Sequence, residues 1–310
     1  MRINKPNFWD GKIGFFSILL FPLSLIVLFL VFLKKKFSKV SNFKIPIICV
    51  GNIYIGGTGK TPTSIYIVNE LNKMGKNAVI FRKHYEDQVD EHNLIRGYLG
   101  NLILSKNRVD GLREIEKSNF DTVIMDDGLQ DYKIKKNISI ACFNSNQLIG
   151  NGLVIPAGPL RESLNSLKNI NIVIINGNRN KIFEEKILKI NSNLKIFYSY
   201  YEPKNLNDFT NQKLLAIAGI GNPENFFSLI EQNNLNIQKK IIYPDHYKFS
   251  KEQFQNIIRE AEEKNYKIIM TEKDFYKIEK YNFDKVNFLK VELKIVDQEN
   301  FIKVLKDLYD

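Results

Sequence analysis

From residue 43 onward, short apolar runs alternate with segments in which apolar residues recur every three or four positions. Continuous apolar runs are typical of strands buried on both faces of a parallel sheet, and the wider spacing is typical of helices packed on that sheet. The clearest runs lie at residues 45–50, 78–81, 122–125, 170–175, 214–218 and 268–270. The alternation predicts an α/β protein with a doubly wound parallel sheet, whose ligands bind at the carboxyl ends of the strands.

The N-terminal segment has a different pattern. Ile13–Leu33 carries no charged side chain, is long enough to cross a bilayer, and is followed by Lys34, Lys35 and Lys36. A signal peptide is the competing interpretation, but no small-residue cleavage site follows, and the lysines oppose export of what comes next. We therefore predict a membrane anchor over residues 1–36 and a cytoplasmic remainder. Because Pro22 can kink the helix, a helix lying in the membrane interface remains an alternative to a spanning one.

A glycine- and proline-rich segment at residues 150–162 is typical of a domain boundary. We predict a nucleotide-binding domain at 37–150 and a second, smaller α/β domain at 151–310. In the second half, the strand 214–218 is again followed by glycines, at 219 and 221. Ser250 with Gln253 predicts a helix start, and Asp297 predicts the start of a last helix.

The stretch from Gly51 to Pro62 combines the end of an apolar strand, a glycine-rich turn and the start of a helix. Such a turn brings backbone N–H groups close to a phosphate, and the helix dipole favours its charge. Tyr54 stands where the strict phosphate-loop motif has its first glycine; the alternative is a glycine-rich turn with an incidental lysine. We predict an ATP site, in which Lys60 reaches the β- and γ-phosphates and Thr61 holds Mg²⁺. The predicted nucleotide-binding residues are Gly56, Gly57, Thr58, Gly59, Lys60 and Thr61.

Other side chains with chemical potential follow later strands. The strand at 122–125 leads into Asp126 and Asp127, and a carboxylate there commonly holds the Mg²⁺ of a phosphate loop. The doublet allows one metal role and one proton role, and a solvated turn is the alternative. His246 and the pair Arg161–Glu162 are weaker candidates from position alone. A histidine in such a loop is more often a surface residue than a catalyst, and a salt-bridged turn explains the pair at least as well.

The formal charge of +11 predicts an acidic partner, such as a nucleotide, a phospholipid or a phosphorylated substrate. No DNA- or RNA-binding motif accompanies the charge, so we expect no nucleic-acid partner. Cys49 and Cys142 lie within apolar runs, which is typical of small core residues in a reducing compartment.

Six motifs in order along the chain resemble those of the tetraacyldisaccharide 4′-kinase family, the lipid A 4′-kinases. They read GNIYIGGTGKTP (51–62), IMDDGLQ (124–130), GLVIPAGPLRE (152–162), IAGIGNPENFF (217–227), DHYKF (245–249) and MTEKDFYKI (270–278). The resemblance implies an enzyme on the cytoplasmic face of the inner membrane. Its reaction would transfer the γ-phosphoryl group of ATP to the 4′-hydroxyl of a tetraacylated glucosamine disaccharide 1-phosphate.

The resemblance also implies roles for individual residues. Asp127 would pair with His246 to accept the hydroxyl proton, while Asp126 and Glu162 match positions associated with Mg²⁺ and nucleotide. The family's GDE motif appears as Val89-Asp90-Glu91, so Asp90 would be a further active-site acid. The domain at 151–310 would thus supply the catalytic histidine and the LRE segment.

Two departures from the family pattern are visible. The loop that follows the family's second strand is shortened here between Phe81 and Asp90, and the last histidine of the family's DDGFQH is Asp131. Two other classes remain open from the residues alone. A membrane-associated partitioning ATPase has a KGGxGKT loop, but Ile55 replaces its signature lysine. A non-catalytic nucleotide switch would give no reason for an acid doublet to be joined by a histidine.

Overall fold

The structure is a computed structural model that describes residues 6–85, 89–245 and 247–310, with the backbone alone at positions 89 and 90. Its strands are β1 (Ile47–Gly51), β2 (Ala78–Lys83), β3 (Leu102–Ser105), β4 (Thr122–Asp126), β5 (Ile138–Asn144), β6 (Ile172–Asn176), β7 (Lys195–Pro203), β8 (Lys213–Ala218), β9 (Asn236–Ile242), β10 (Lys267–Thr271), β11 (Val286–Leu289) and β12 (Val291–Ile295). Its helices are α1 (Phe15–Lys36), α2 (Lys60–Lys73), α3 (Val89–Leu99), α4 (Arg108–Ile115), α5 (Lys181–Leu188), α6 (Pro223–Gln232), α7 (Lys251–Glu263), α8 (Glu272–Ile278) and α9 (Gln298–Lys306).

The larger sheet has the order β12-β7-β6-β5-β1-β4-β2-β3. β1 lies inside it, parallel to β4 on one side and β5 on the other, and every residue of β1 and β4 is buried. The register places Val50 opposite Asp126. The glycine-rich turn and the Asp126–Asp127 doublet therefore leave the sheet side by side, at the edge where ligands of such sheets bind.

The second sheet has the order β11-β10-β8-β9, and its adjacent strands are parallel. Alternate residues of β8 point to opposite faces, and each face has its own helix. Leu214 and Ala216 belong to the core cluster that contains Phe227 of α6, whereas Leu215 belongs to the cluster that contains Phe254 of α7. This two-sided packing makes the smaller sheet doubly wound as well.

The chain divides into two units at positions that differ from the predicted boundary at residue 150. The larger unit consists of Met1–His84, Asn101–Tyr200 and Lys294–Asp310, and the smaller of Tyr85–Gly100 and Tyr201–Leu293. Residues 151–200 belong to the larger unit because β6 and β7 continue its sheet beyond β5. The LRE segment therefore lies in the larger unit, although the sequence assigns it to the second domain.

The stretch 286–296, whose sequence suggests a single strand, forms two strands in different sheets. β11 pairs with β10 of the smaller sheet, and β12 pairs with β7 of the larger one, with only Lys290 between them. The predicted helix caps are confirmed, because the side chains of Ser250 and Asp297 accept hydrogen bonds from the backbone N–H groups of Gln253 and Asn300.

The predicted apolar N-terminal helix is α1, and within the described chain it is the one helix long and apolar enough to cross a membrane. Most of its large apolar side chains are exposed, whereas Ser17 and Ser24 are buried. The Ser24 hydroxyl donates to the Val154 carbonyl oxygen at 2.7 Å and accepts from the Ala157 N–H at 3.1 Å. The Asn151 amide donates to the Ser17 hydroxyl at 3.0 Å. One polar stripe of α1 is thus fixed to segment 150–162, while its apolar surface remains exposed.

Candidate active site

The glycine-rich turn adopts the geometry of a phosphate loop. β1 ends at Gly51, and α2 begins at Lys60 directly after Gly59, whose φ of 87° suits glycine. The Asn52 side-chain amide closes the loop from within by donating to the Gly56 carbonyl oxygen at 3.2 Å and to the Thr58 hydroxyl at 3.0 Å. The first turn of a 14-residue helix, with its unpaired N–H groups, therefore follows the loop.

Tyr54, at the position of the motif's missing glycine, is completely buried. Its neighbours pair with the LRE segment, because the Ile55 N–H donates to the Pro159 carbonyl oxygen at 2.9 Å and the Arg161 N–H donates to the Ile53 carbonyl oxygen at 2.7 Å. Positive φ angles occur in this loop at Gly56 and Gly59 rather than at Tyr54. The departure from the strict motif is thus accommodated by pairing with residues 159–161.

Thr61 and Asp126, the two predicted Mg²⁺ ligands from the loop and from β4, are in direct contact. The Thr61 hydroxyl donates to Asp126 Oδ2 at 3.0 Å, and the Ser64 hydroxyl donates to Oδ1 at 3.1 Å. Arg82 Nη1 lies 3.3 Å from Asp126 Oδ2, and Asp126 is only 1% exposed. A buried hydroxyl and carboxylate at the end of a phosphate loop are the hard oxygen ligands that Mg²⁺ prefers, so these residues fit the metal.

Asp127 faces a group of cations. Its Oδ1 lies 3.0 Å from Arg161 Nη1 and 3.9 Å from Lys60 Nζ. Burial acts to raise the pKa of Asp127, but Lys60, Arg161 and Arg82 outweigh burial and lower that pKa below its ordinary value of 3.8. The carboxylate therefore stays ionised at neutral pH and acts as a fixed negative charge between Lys60 and Arg161.

Arg108 contacts Asp131, the residue that stands in place of the last histidine of the DDGFQH motif. Its Nη2 donates to the Asp127 carbonyl oxygen at 2.7 Å, and its Nη1 lies 3.6 Å from Asp131 Oδ2. The turn that carries the acid doublet is therefore clamped by an arginine from the start of α4.

Glu162 is buried and accepts a hydrogen bond from the Tyr132 hydroxyl at 2.6 Å. Both residues line a cavity of about 220 Å³ that Lys35 and Lys136 also line. Lys34 and Lys35, at the end of α1, lie 5.7 and 5.9 Å from the centre of the Tyr132 ring. The cavity is thus continuous with the basic end of the apolar helix.

Comparison with known proteins shows which family the chain belongs to. The family model described as tetraacyldisaccharide-1-P 4'-kinase matches residues 16–310. The chain belongs to this family. A tetraacyldisaccharide 4'-kinase of Pelagibacter ubique is 42% identical over 309 residues, which cover 98% of each chain. One of Shewanella sediminis is 32% identical over 315 residues, which cover 94% of this chain and 90% of that one.

A solved structure has the same fold as this tetraacyldisaccharide 4'-kinase family member. The crystal structure of LpxK from Aquifex aeolicus in complex with ATP aligns with a TM-score of 0.74 at 20% identity, covering 96% of this chain and 100% of that chain. The resemblance drawn from the six motifs is therefore confirmed. So is the predicted fold, an α/β protein with a large parallel sheet, a second smaller α/β unit and an apolar N-terminal helix.

The structure brings together only part of the predicted site. Lys60 lies beside Asp127 and Thr61 beside Asp126, while Glu162 is bonded to Tyr132. His246 and the side chain of Asp90 lie outside the described residues, so the pairing of Asp127 with His246 stays a prediction.

Two arginines of the site were not predicted, namely Arg82 beside Asp126 and Arg108 beside Asp127. For Arg82 a signal existed, because it directly follows the apolar run at 78–81 and so leaves the sheet at the same edge as Asp126. Arg108 follows a polar turn, and nothing distinguishes it from the other basic residues of a strongly basic chain.

Proposed function

We propose that the chain phosphorylates the 4′-hydroxyl of the tetraacyl glucosamine disaccharide 1-phosphate precursor of lipid A, with ATP as the donor and Mg²⁺ as the cofactor. The observation that carries the proposal is the site at the carboxyl end of β1 and β4, where Lys60 lies beside Asp127 and Thr61 contacts Asp126. Membership of the family supplies the identity of the acceptor.

The residues on the phosphate side have separable tasks. Lys60 and the amides of residues 56–61 bind the β- and γ-phosphates, and Arg161, 3.0 Å from Asp127, adds a second cation within reach. When bound, Mg²⁺ neutralises the charge on the phosphate oxygens, and Thr61, Asp126 and Glu162 would hold it. Positioning and charge neutralisation are most of what phosphoryl transfer requires.

Asp127 and His246 would remove the proton from the acceptor hydroxyl, with Asp90 as a further active-site acid. Because Lys60, Arg161 and Arg82 keep Asp127 ionised, its carboxylate is a poor proton acceptor by itself. We infer that His246 takes the proton, and that Asp127 orients the imidazole and stabilises its charged form.

The membrane completes the proposal. An acceptor with four acyl chains stays in the bilayer, and the exposed apolar side chains of α1 would hold the enzyme beside it. Lys34, Lys35 and Lys36 follow those side chains and would attract anionic lipid and the substrate's 1-phosphate. We therefore place the enzyme at the inner membrane, with the catalytic part on the cytoplasmic side.

A direct assay tests the reaction. Purified protein with Mg-ATP and a labelled disaccharide 1-phosphate should convert the monophosphate to a bisphosphate. Lys60→Ala should lower kcat by about 10²–10³-fold, because the γ-phosphate charge goes uncompensated. The control is Lys73→Ala in the same helix, where an exposed lysine pairs with Glu70 and full activity is expected. ADP release at an equal rate without the lipid would instead indicate a partitioning-type ATPase, and binding without turnover a nucleotide switch.

The proton assignment has its own test. His246→Ala should lower kcat by about 10²–10⁴-fold while leaving the affinity for ATP nearly intact. Asp127→Asn combined with His246→Ala should be little worse than the more damaging single variant, because residues that act as a unit are not additive. Fully additive losses would mean that Asp127 and His246 work separately.

A further inference from the structure

Lys273 forms a bridge between two carboxylates within the smaller unit. Its Nζ lies 2.9 Å from Glu91 Oε1 and 3.1 Å from Asp245 Oδ1. The Lys273 side chain is only 16% exposed, against 19% for Glu91 and 32% for Asp245. One largely buried ammonium thus holds together two acids from segments that are about 150 residues apart in the sequence.

The two acids are direct neighbours in sequence of the proposed catalytic residues of this unit. Glu91 follows Asp90 in the first turn of α3, and Asp245 precedes His246. Neither Glu91 nor Asp245 has a role in the proposed phosphoryl transfer. The bridge through Lys273 therefore joins the residues that stand next to each proposed catalytic residue in the sequence.

Lys273 lies in the first turn of α8, directly after β10, and hydrogen bonds of neighbouring residues hold this turn in place. The Thr271 hydroxyl caps α8, and the buried Asp274 accepts a hydrogen bond from the Gly219 N–H at 2.7 Å. Asp274 Oδ1 also lies 2.5 Å from Lys277 Nζ. The position of the Lys273 backbone is therefore set by its neighbours and does not depend on the bridge.

A second hydrogen bond joins the C-terminal end of α3 to α8. The Tyr98 hydroxyl donates to Glu272 Oε2 at 2.7 Å, directly before Lys273 in the chain. The far end of α3 is thus held by Tyr98, whereas its first turn is held by Glu91. Loss of the Lys273 charge would free the first turn and leave Glu91 and Asp245 to repel each other.

We propose that Lys273 is a positioning residue that aligns the Asp90 and His246 segments for proton removal, which rests on the proposed function. The bridge acts through backbone placement, since Lys273 contacts the neighbours of the two side chains. It would give a role to the lysine of the MTEKDF motif, which directly follows β10 and the first residue of α8.

The test compares Lys273→Met, Lys273→Arg and the control Lys285→Met in the full-length protein. Lys285 pairs with Glu262 at 2.7 Å on the exposed surface of the same unit. Lys273→Met should lower kcat by about 10–100-fold, because small displacements of catalytic groups are costly. The KM for ATP should stay unchanged. Lys273→Arg, which keeps the charge, should retain most of the activity, and Lys285→Met all of it.

Hydrogen–deuterium exchange tests, independently of enzyme activity, whether the bridge orders the two segments. Lys273→Met should speed exchange in residues 91–95 and 243–248, and the control should not. Unchanged exchange, or faster exchange with unchanged kcat, would overturn the proposal. So would a loss in kcat matched by a general loss of thermal stability. A wild-type protein that binds the lipid but does not phosphorylate it would refute the proposed function, and the exchange comparison would still decide whether Lys273 orders the two segments.

Discussion

Asp127 lies among Lys60, Arg161 and Arg82, and these cations overcome the effect of burial on its pKa. Its backbone has a φ of 54°, which aspartate tolerates better than most residues, and its N–H donates to the Val50 carbonyl oxygen at 2.8 Å. The acid doublet thus turns sharply, so that Asp126 faces Thr61 and Asp127 faces Lys60. Two adjacent carboxylates thereby have different surroundings, which suits the different tasks proposed for them.

The lowered pKa of Asp127 makes a prediction about stability. A group whose pKa is lower in the folded state stabilises the fold above its ordinary pKa of 3.8, and this contribution is lost as pH falls through the lower folded value. Asp127→Asn should therefore cost about 1–3 kcal/mol in the free energy of unfolding at pH 7. Denaturant titrations in detergent should show that the difference between wild type and variant at pH 7 begins to shrink once pH falls below 3.8. A difference that does not change with pH would mean that the effect is steric.

Single residues could be predicted where position in a motif singles them out. Lys60, Thr61 and Asp126 follow from a strand, a glycine-rich turn and a second strand, and the structure places Thr61 against Asp126 and Lys60 near Asp127. The arginines could not be predicted equally well, because the chain has 45 lysines and arginines and the sequence does not distinguish those that reach the site. Which cation reaches an acid depends on packing that one sequence does not display.

At the scale of elements, α1 is an apolar helix with a polar stripe. Ser17 and Ser24 are seven residues apart and therefore lie on the same face. The apolar run predicts the helix, but two serines among apolar residues do not reveal that they meet residues 151–157. Within the described residues, the helix is therefore a docked element of the larger unit as well as an apolar surface.

Ser24 gives a prediction for this docking. Ser24→Ala should reduce the free energy of unfolding by about 1–3 kcal/mol, because the buried Ala157 N–H loses its partner. The control is Ser38→Ala, where a partly exposed serine donates to the Lys34 carbonyl oxygen and a change within about 0.5 kcal/mol is expected. Thermal unfolding in detergent measures both. Equal shifts in the two variants would contradict the docking role of Ser24.

Elements were predictable where burial makes them uniformly apolar. β1, β4, β6, β8 and β10 are buried nearly throughout, and their apolar runs are clear. β7 has buried side chains at Phe197 and Ser199, is partly or fully exposed at its other positions, and carries several polar residues, so its pattern does not stand out. α3 begins in a polar stretch and was not predicted, because its helical spacing is obscured by charged residues.

At the scale of the whole molecule, the chain passes between its two units four times, after residues 84, 100, 200 and 293. The last two passages fall inside or beside strands, in β7 and β12, where composition does not change. A boundary without a linker cannot be recognised from glycine and proline content. The glycine- and proline-rich segment at 150–162 instead packs against α1 and the phosphate loop.

Deletion of the N-terminal segment tests its proposed role as a membrane anchor. Deleting residues 1–36 should release the protein from membranes, because the exposed apolar side chains of α1 and the following lysines are lost. Activity should fall further on the tetraacyl substrate than on a short-chain analogue. Flotation with vesicles and paired assays measure the two effects, and retained ATP binding is the control for folding. A truncated protein that still floats would show that other surfaces attach it.

Segment 150–162 has one more consequence, for substrate choice. Trp9 and Ser24 are bonded to its residues Pro156 and Ala157, and its residue Arg161 is bonded to Ile53 at the start of the phosphate loop. Segment 150–162 thus joins α1, which would lie in lipid, to the phosphate loop, which would hold the γ-phosphate. The connection is a packed segment rather than a flexible linker. The distance from the bilayer to the reacting phosphorus would then be fixed by the structure of this segment. A hydroxyl would be chosen by its height above the acyl chains as well as by its chemistry.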